Sequence, residues 1–148
     1  MSLAGQSSTS REDEESLEVG VEMKLGEVFA SAQVIVNTDV SDLLAEYENT
    51  MKAEEGQAYM PNKCFQATRE YVDRFKSLKK RATVATIQKM LLDDYKLSEF
   101  EKGLLINLAP EEVEEAKALV PSLEDETRFT DEIIERMLED MKVHKEFE

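Results

Sequence analysis

The chain has 148 residues, enough for one domain with a tail. Its 33 acidic residues against 18 basic ones leave a net charge of −15, so phosphate backbones are repelled unless a local patch or a partner supplies the contact. The single cysteine, Cys64, excludes an internal disulfide and fits a reducing compartment; with no run of about 18 apolar residues and no apolar leader core, a soluble intracellular protein without a membrane span is expected.

Residues 1–20 read as a disordered acidic tail, rich in Ser, Glu and Asp with almost nothing to bury. Residues 21–37 read as an extended arm. There MKLGEVF leads through small residues into Val34, Ile35 and Val36, a β-branched run suited to an extended chain. Two readings of this run are open. It can be a loop that packs its apolar side chains on helices, or an arm that adds a strand to a partner's sheet.

The remainder reads as helix. Residues 38–60 hold a first helix, capped by Asn37 or Thr38, and a linker with Gly56 as its flexible point. Val40, Leu43, Leu44, Tyr47 and Met51 form the stripe of that helix, which serves as core or as partner interface. Residues 61–148 form the helical domain proper. A second helix opens at Pro61 and Asn62, with Cys64 or Phe65, Thr68, Tyr71, Val72, Phe75 and Leu78 as its expected buried face.

Seven cations concentrate between Lys63 and Arg81, opposed there only by Glu70 and Asp73. Four of them crowd into KSLKKR at the expected end of the second helix. One reading makes them favourable partners of the helix dipole and of acidic residues elsewhere. The other makes Lys76, Lys79, Lys80 and Arg81 a candidate nucleic-acid contact.

A third helix spans about residues 82–96, with Val84, Ile87, Met90 and Leu91 inward. Ser98 and Glu101 then form a capping box, followed by Phe100, Leu104, Leu105 and Leu108 as a stripe. Pro110 stands where a short fifth helix would start, and Val113, Ala116, Leu119 and Val120 give its inner face before Pro121 stops it. A last helix over residues 130–147 turns Ile133, Ile134, Met137, Leu138 and Met141 inward. His144 lacks companion ligands at ligating spacing, and Cys64 has no base beside it. No nucleophile with a base, metal cluster or phosphate loop is present in the pattern, so no catalytic residue, metal or cofactor is assigned.

The stretch from Leu97 to Leu123 carries a resemblance. Leu97, Phe100, Glu101, Leu105, Asn107, Leu108, Pro110, Glu111, Glu114, Glu115, Ala116, Leu119, Val120, Pro121, Ser122 and Leu123 match a spaced pattern of the subunit-four family of eukaryotic RNA polymerase II. Ala109 departs from it, since many members have Cys there. The leader Leu25 to Phe29 and the segment of Tyr71, Arg74, Phe75 and Lys79 also resemble that family, with Leu78 in place of a common aromatic.

The resemblance implies an all-α bundle, similar to the helicase-and-RNase-D C-terminal domain, with a partner-pairing N-terminal arm. It implies a non-catalytic subunit that forms a stalk with polymerase subunit seven on the polymerase core, in the nucleus, with RNA contacted mainly through that partner. It makes Leu25, Phe29, Val34, Ile35, Val36, Val40, Leu43, Leu44 and Tyr47 the candidate partner-binding residues. It implies no small-molecule substrate. Two alternative readings stand beside it: a free-standing helical nucleic-acid-binding module, and the equivalent stalk subunit of RNA polymerase III or of a plant silencing polymerase.

Overall fold

A computed structural model describes residue 29 and residues 31–147 of the chain. The expected tail over residues 1–20 and Leu25 of the arm lie outside these residues. Six α-helices follow one another: α1 (Asn37–Glu55), α2 (Lys63–Phe75), α3 (Arg81–Asp93), α4 (Glu99–Leu108), α5 (Val113–Leu119) and α6 (Asp131–Glu146). Short 3₁₀ turns at Gly56–Ala58 and Pro121–Glu124 punctuate them. No strand forms among the described residues, and the molecule is all-α as expected.

Boundaries follow local chemistry. Gly56 adopts φ +62° after α1, a left-handed region that glycine reaches at little steric cost. Asn62 caps α2 by accepting the Phe65 N–H at 2.8 Å. Helix α2 stops at Phe75, earlier than the sequence pattern suggests, so KSLKKR is not a helix C-terminus. Its residues 76–80 form a link, Lys80 stands at the N-cap of α3, and Arg81 opens that helix. Of these four cations only Lys76 stays at the end of α2, as its C-cap, beside Arg74 in the last turn. Helix α5 begins at Val113 rather than at Pro110, and Pro121 starts the 3₁₀ turn.

The core gathers residues from α3 through α6 together with Val36 and Leu78. Val84, Ile87 and Leu91 of α3 and Ile134, Met137, Leu138 and Met141 of α6 meet Leu105, Ile106, Ala116, Val120, Leu123 and Phe129. Three expected core positions are instead surface: Leu108, Leu119 and Ile133 remain substantially exposed, while Ile106, outside the expected stripe, is buried. Helix α4 is covered on more than one side, so a single apolar stripe understates what it buries.

The capping box at Ser98 and Glu101 is present in full, and it reaches further than a cap. Glu101 is only 1% exposed. Its carboxylate accepts the Ser98 N–H at 2.7 Å, the Ser122 hydroxyl at 2.5 Å, and both terminal nitrogens of Arg128 at 3.0 and 3.2 Å. Burial alone would raise its pKa; the hydrogen bonds from Arg128, Ser122 and Ser98 outweigh burial and hold the carboxyl at about 2. One residue thus starts α4, fixes the turn after α5, and anchors the approach to α6.

Candidate partner-binding surface

The extended residues before α1 lie on α4. Three residues of α4 at a spacing of four, Glu99, Gly103 and Asn107, share one helix face and form a track for this segment. Glu99 accepts the Val34 N–H at 3.0 Å, and Asn107 accepts the Asn37 N–H at 2.9 Å. Between them Gly103 leaves room for the Val34 side chain, which a Cβ at that position would strike. Lys102, almost fully buried, donates to the same Glu99 carboxylate at 2.5 Å. Burial pushes the Glu99 pKa up, yet hydrogen bonds from Lys102 and from the Val34 backbone leave it below the usual value.

This placement separates the β-branched run. Val36 is buried in the chain's own core and Val34 is half-buried against α4. Ile35, between them, points outward and is 56% exposed. Phe29 is exposed as well.

Helix α1 buries an unusual set of residues. Its covered positions are Thr38, Ser41 and Glu48, and none is apolar. They face α2, which runs antiparallel to α1, as the order of their pairings shows. Thr38 donates to the Leu78 carbonyl at 2.6 Å and the Asn37 amide to the Phe75 carbonyl at 3.3 Å. Ser41 donates to Asp73 at 2.6 Å, and Lys76 donates to both, at 3.1 and 2.8 Å. Glu48 pairs with Arg69 and, at 2.6 Å, with Lys52. The hydrogen bond from Lys76, helped by that from Ser41, lowers the Asp73 pKa.

The apolar stripe of α1 points elsewhere. Val40, Leu43, Leu44, Tyr47 and Met51 centre roughly 120° around the helix from the buried polar set, at about 100° per residue. Leu43 is 46% and Tyr47 52% exposed, while Val40, Leu44 and Met51 are half-buried. Helix α2 repeats the arrangement. Val72 is its one buried residue among those described, and Phe65 is half-buried beneath Tyr47 with ring centroids 5.7 Å apart. Cys64, Thr68, Tyr71 and Phe75, expected to be buried, form an exposed row at i, i+4, i+7 and i+11. The Tyr71 and Phe75 rings meet at a tilt, centroids 4.8 Å apart, with Arg74 over the Phe75 ring. Hydrophobic periodicity located both faces; it left that of α1 open between core and partner and assigned that of α2 to the core, because it registers amphipathicity and not what lies opposite.

The basic concentration is partly consumed inside the molecule. Arg69 pairs with Glu48, Lys76 with Asp73, and Arg81 with Asp39 at 3.9 Å. Asp39 also accepts the Gln88 side chain at 3.1 Å, tying α1 to α3. Of the candidate nucleic-acid residues, Lys76 and Arg81 therefore serve as ties between helices, and Lys79 and Lys80 also engage other groups of the chain. Among the described residues no group of three or more His, Cys, Asp or Glu side chains is arranged to hold a metal, and no helix is long and apolar enough to cross a membrane.

The surface thus built is two helices joined by polar pairs, with apolar faces turned outward. Comparison with known proteins gives the family. The sequence profile described as RNA polymerase Rpb4 matches residues 11–145. The chain is 37% identical over 141 residues to DNA-directed RNA polymerase II subunit 4 of Arabidopsis thaliana, covering 94% of this chain and 99% of that protein. It is 26% identical over 131 residues to DNA-directed RNA polymerase II subunit rpb4 of Dictyostelium discoideum, covering 78% of this chain and 81% of that one. A profile match across nearly the whole chain, with a relative above 30% identity over 94% of it, establishes that this chain belongs to the RNA polymerase Rpb4 family.

Proposed function

We propose that the chain is a non-catalytic subunit of DNA-directed RNA polymerase II in the nucleus, and that it forms the stalk heterodimer with polymerase subunit seven. The names of its relatives specify polymerase II. The observation that carries the heterodimer is the inverted hairpin of α1 and α2, which buries polar residues internally and leaves Leu43, Tyr47, Tyr71 and Phe75 outside. Apolar faces of this kind, with aromatic and arginine side chains among them, have the composition of protein interfaces. Ile35 on the extended segment continues the partner-binding set with Phe29, Leu43, Leu44, Val40 and Tyr47. Val34 and Val36 act indirectly, by seating that segment on α4. The division into tail, arm, partner-facing first helix and helical domain goes with this reading. The subunit works as a scaffold: it stabilises its partner, supports initiation, and displays a surface on which emerging RNA and processing factors dock, with most RNA contacts made by the partner.

The test is co-expression with the organism's subunit-seven homologue, followed by size-exclusion chromatography with light scattering. A one-to-one complex is the expected outcome, and a chain that elutes as a monomer beside its partner would sink the proposal. In the same assay Ile35→Asp and Tyr47→Asp each weaken the complex at least tenfold, because a carboxylate would be buried unpaired at the interface. Both positions are exposed in the free chain, so its far-UV circular dichroism stays unchanged.

A further inference from the structure

A groove of about 470 Å³ opens between the end of α4, the link into α5, and one side of α6. That volume lies within the roughly 300–1,000 Å³ range of sites that receive ligand groups. Its floor is the apolar core itself: Leu78, Ile87, Ile106, Leu138 and Met141 are all buried, yet each lines this opening. Ala109 takes a left-handed conformation, φ +47° and ψ +56°, at the end of α4 and leads into the buried Pro110; both residues line the groove.

The rim is acidic. Glu111 and Glu112 stand on the α5 side and Glu135 and Glu139 on α6, all exposed, against Lys142 and Lys145 at one end. Among the described residues these four carboxylates enter no ion pair. The whole chain, at −15, adds a long-range field of the same sign.

We propose that this groove is a docking site for a basic peptide segment of a partner protein, which inserts one large apolar side chain onto the floor while flanking lysines or arginines meet Glu111, Glu112, Glu135 and Glu139. An acidic segment or a nucleic acid would meet both the rim and the net charge with the wrong sign. A purely apolar small molecule would leave the four carboxylates unused. The site uses neither the α1 stripe nor the exposed row of α2, so it stands or falls separately from the heterodimer.

The experiment titrates the full chain with a fluorescein-labelled peptide, Lys-Lys-Leu-Phe-Arg-Lys, by fluorescence anisotropy, beside a control with both apolar residues replaced by serine. Binding of the first, at least tenfold weaker binding of the second, and weakening by salt are expected. The variant Glu111→Lys/Glu139→Lys loses at least tenfold in affinity. Glu54→Lys/Glu55→Lys, which changes net charge equally on exposed positions at the end of α1, leaves it within twofold. Amide shifts on peptide addition concentrate at Ala109, Glu111 and Val113. Equal binding of the serine control, or equal losses in the two charge-reversal variants, would reduce the effect to bulk attraction and overturn the proposal. So would an absence of binding by a chain whose circular dichroism shows it folded.

Discussion

Glu101 shows how one side chain carries several structural duties. A cap alone contributes about 1 kcal/mol. Here the same carboxylate also receives Ser122 and Arg128 from beyond α5, so its removal leaves the buried Ser122 hydroxyl without its acceptor and the partly exposed Arg128 without its partner. Glu101→Ala is expected to destabilise the chain by about 2–3 kcal/mol, the cap together with one buried hydroxyl left unsatisfied. Urea denaturation measures this, and a loss below about 1 kcal/mol would reduce Glu101 to a simple cap. The pH dependence follows with a definite sign. The folded pKa of about 2 lies below the ordinary value of 4.5, so the folded state favours the ionised form. That stabilisation is complete above pH 4.5 and disappears as pH falls through 2. The stability difference between wild type and Glu101→Gln should therefore narrow across that window and stay flat above it.

At the scale of elements, the extended segment and α4 form one unit. Alanine is favoured over glycine inside a helix by about 1 kcal/mol, so Gly103 on propensity alone is a weak choice. Its Cβ would strike Val34, whose χ1 is stiff and whose N–H is held by Glu99. The contact outweighs propensity. Gly103→Ala should destabilise the chain by roughly 1–3 kcal/mol and free residues 31–36 for proteolysis. Adding Val34→Ala should restore most of the loss, which separates a local clash from a general effect on α4. A stabilised Gly103→Ala single variant would show that the segment does not rest on the track.

At the scale of the whole molecule, two parts are held by different forces. Helices α3 to α6 enclose an apolar core. The α1 and α2 hairpin is joined by hydroxyl, amide and ionic pairs and buries little apolar area, and partly exposed ion pairs add only about 0–1 kcal/mol each. In the free chain, amide hydrogens of α1 and α2 should exchange faster than those of α3 and α6. If the proposed heterodimer with subunit seven forms, exchange along Val40 to Met51 should slow far more than in α6. Uniform protection in the free chain would mean the hairpin is stable alone and its exposed faces are not waiting for cover.

The sequence by itself determined the all-α class, the order of the helices, the capping box at Ser98 and Glu101, and the inward residues of α3 and most of α6. These rest on local rules: a cap needs neighbours three residues away, and a stripe needs only its own period. The family, too, was legible in the spaced residues from Leu97 to Leu123. Tertiary structure decided what covers each face. Tyr71 and Phe75 have helical spacing, yet α1 meets α2 through Ser41, Glu48, Arg69 and Asp73 and leaves the aromatic row outside. Arg128 is distant from Glu101 in sequence, and no period joins them. The track of Glu99, Gly103 and Asn107 was not read from the sequence at all, because its occupant, Val34, lies more than 60 residues away. The physical reason is the same in each case: amphipathicity is a property of one segment, whereas burial is a property of a pair.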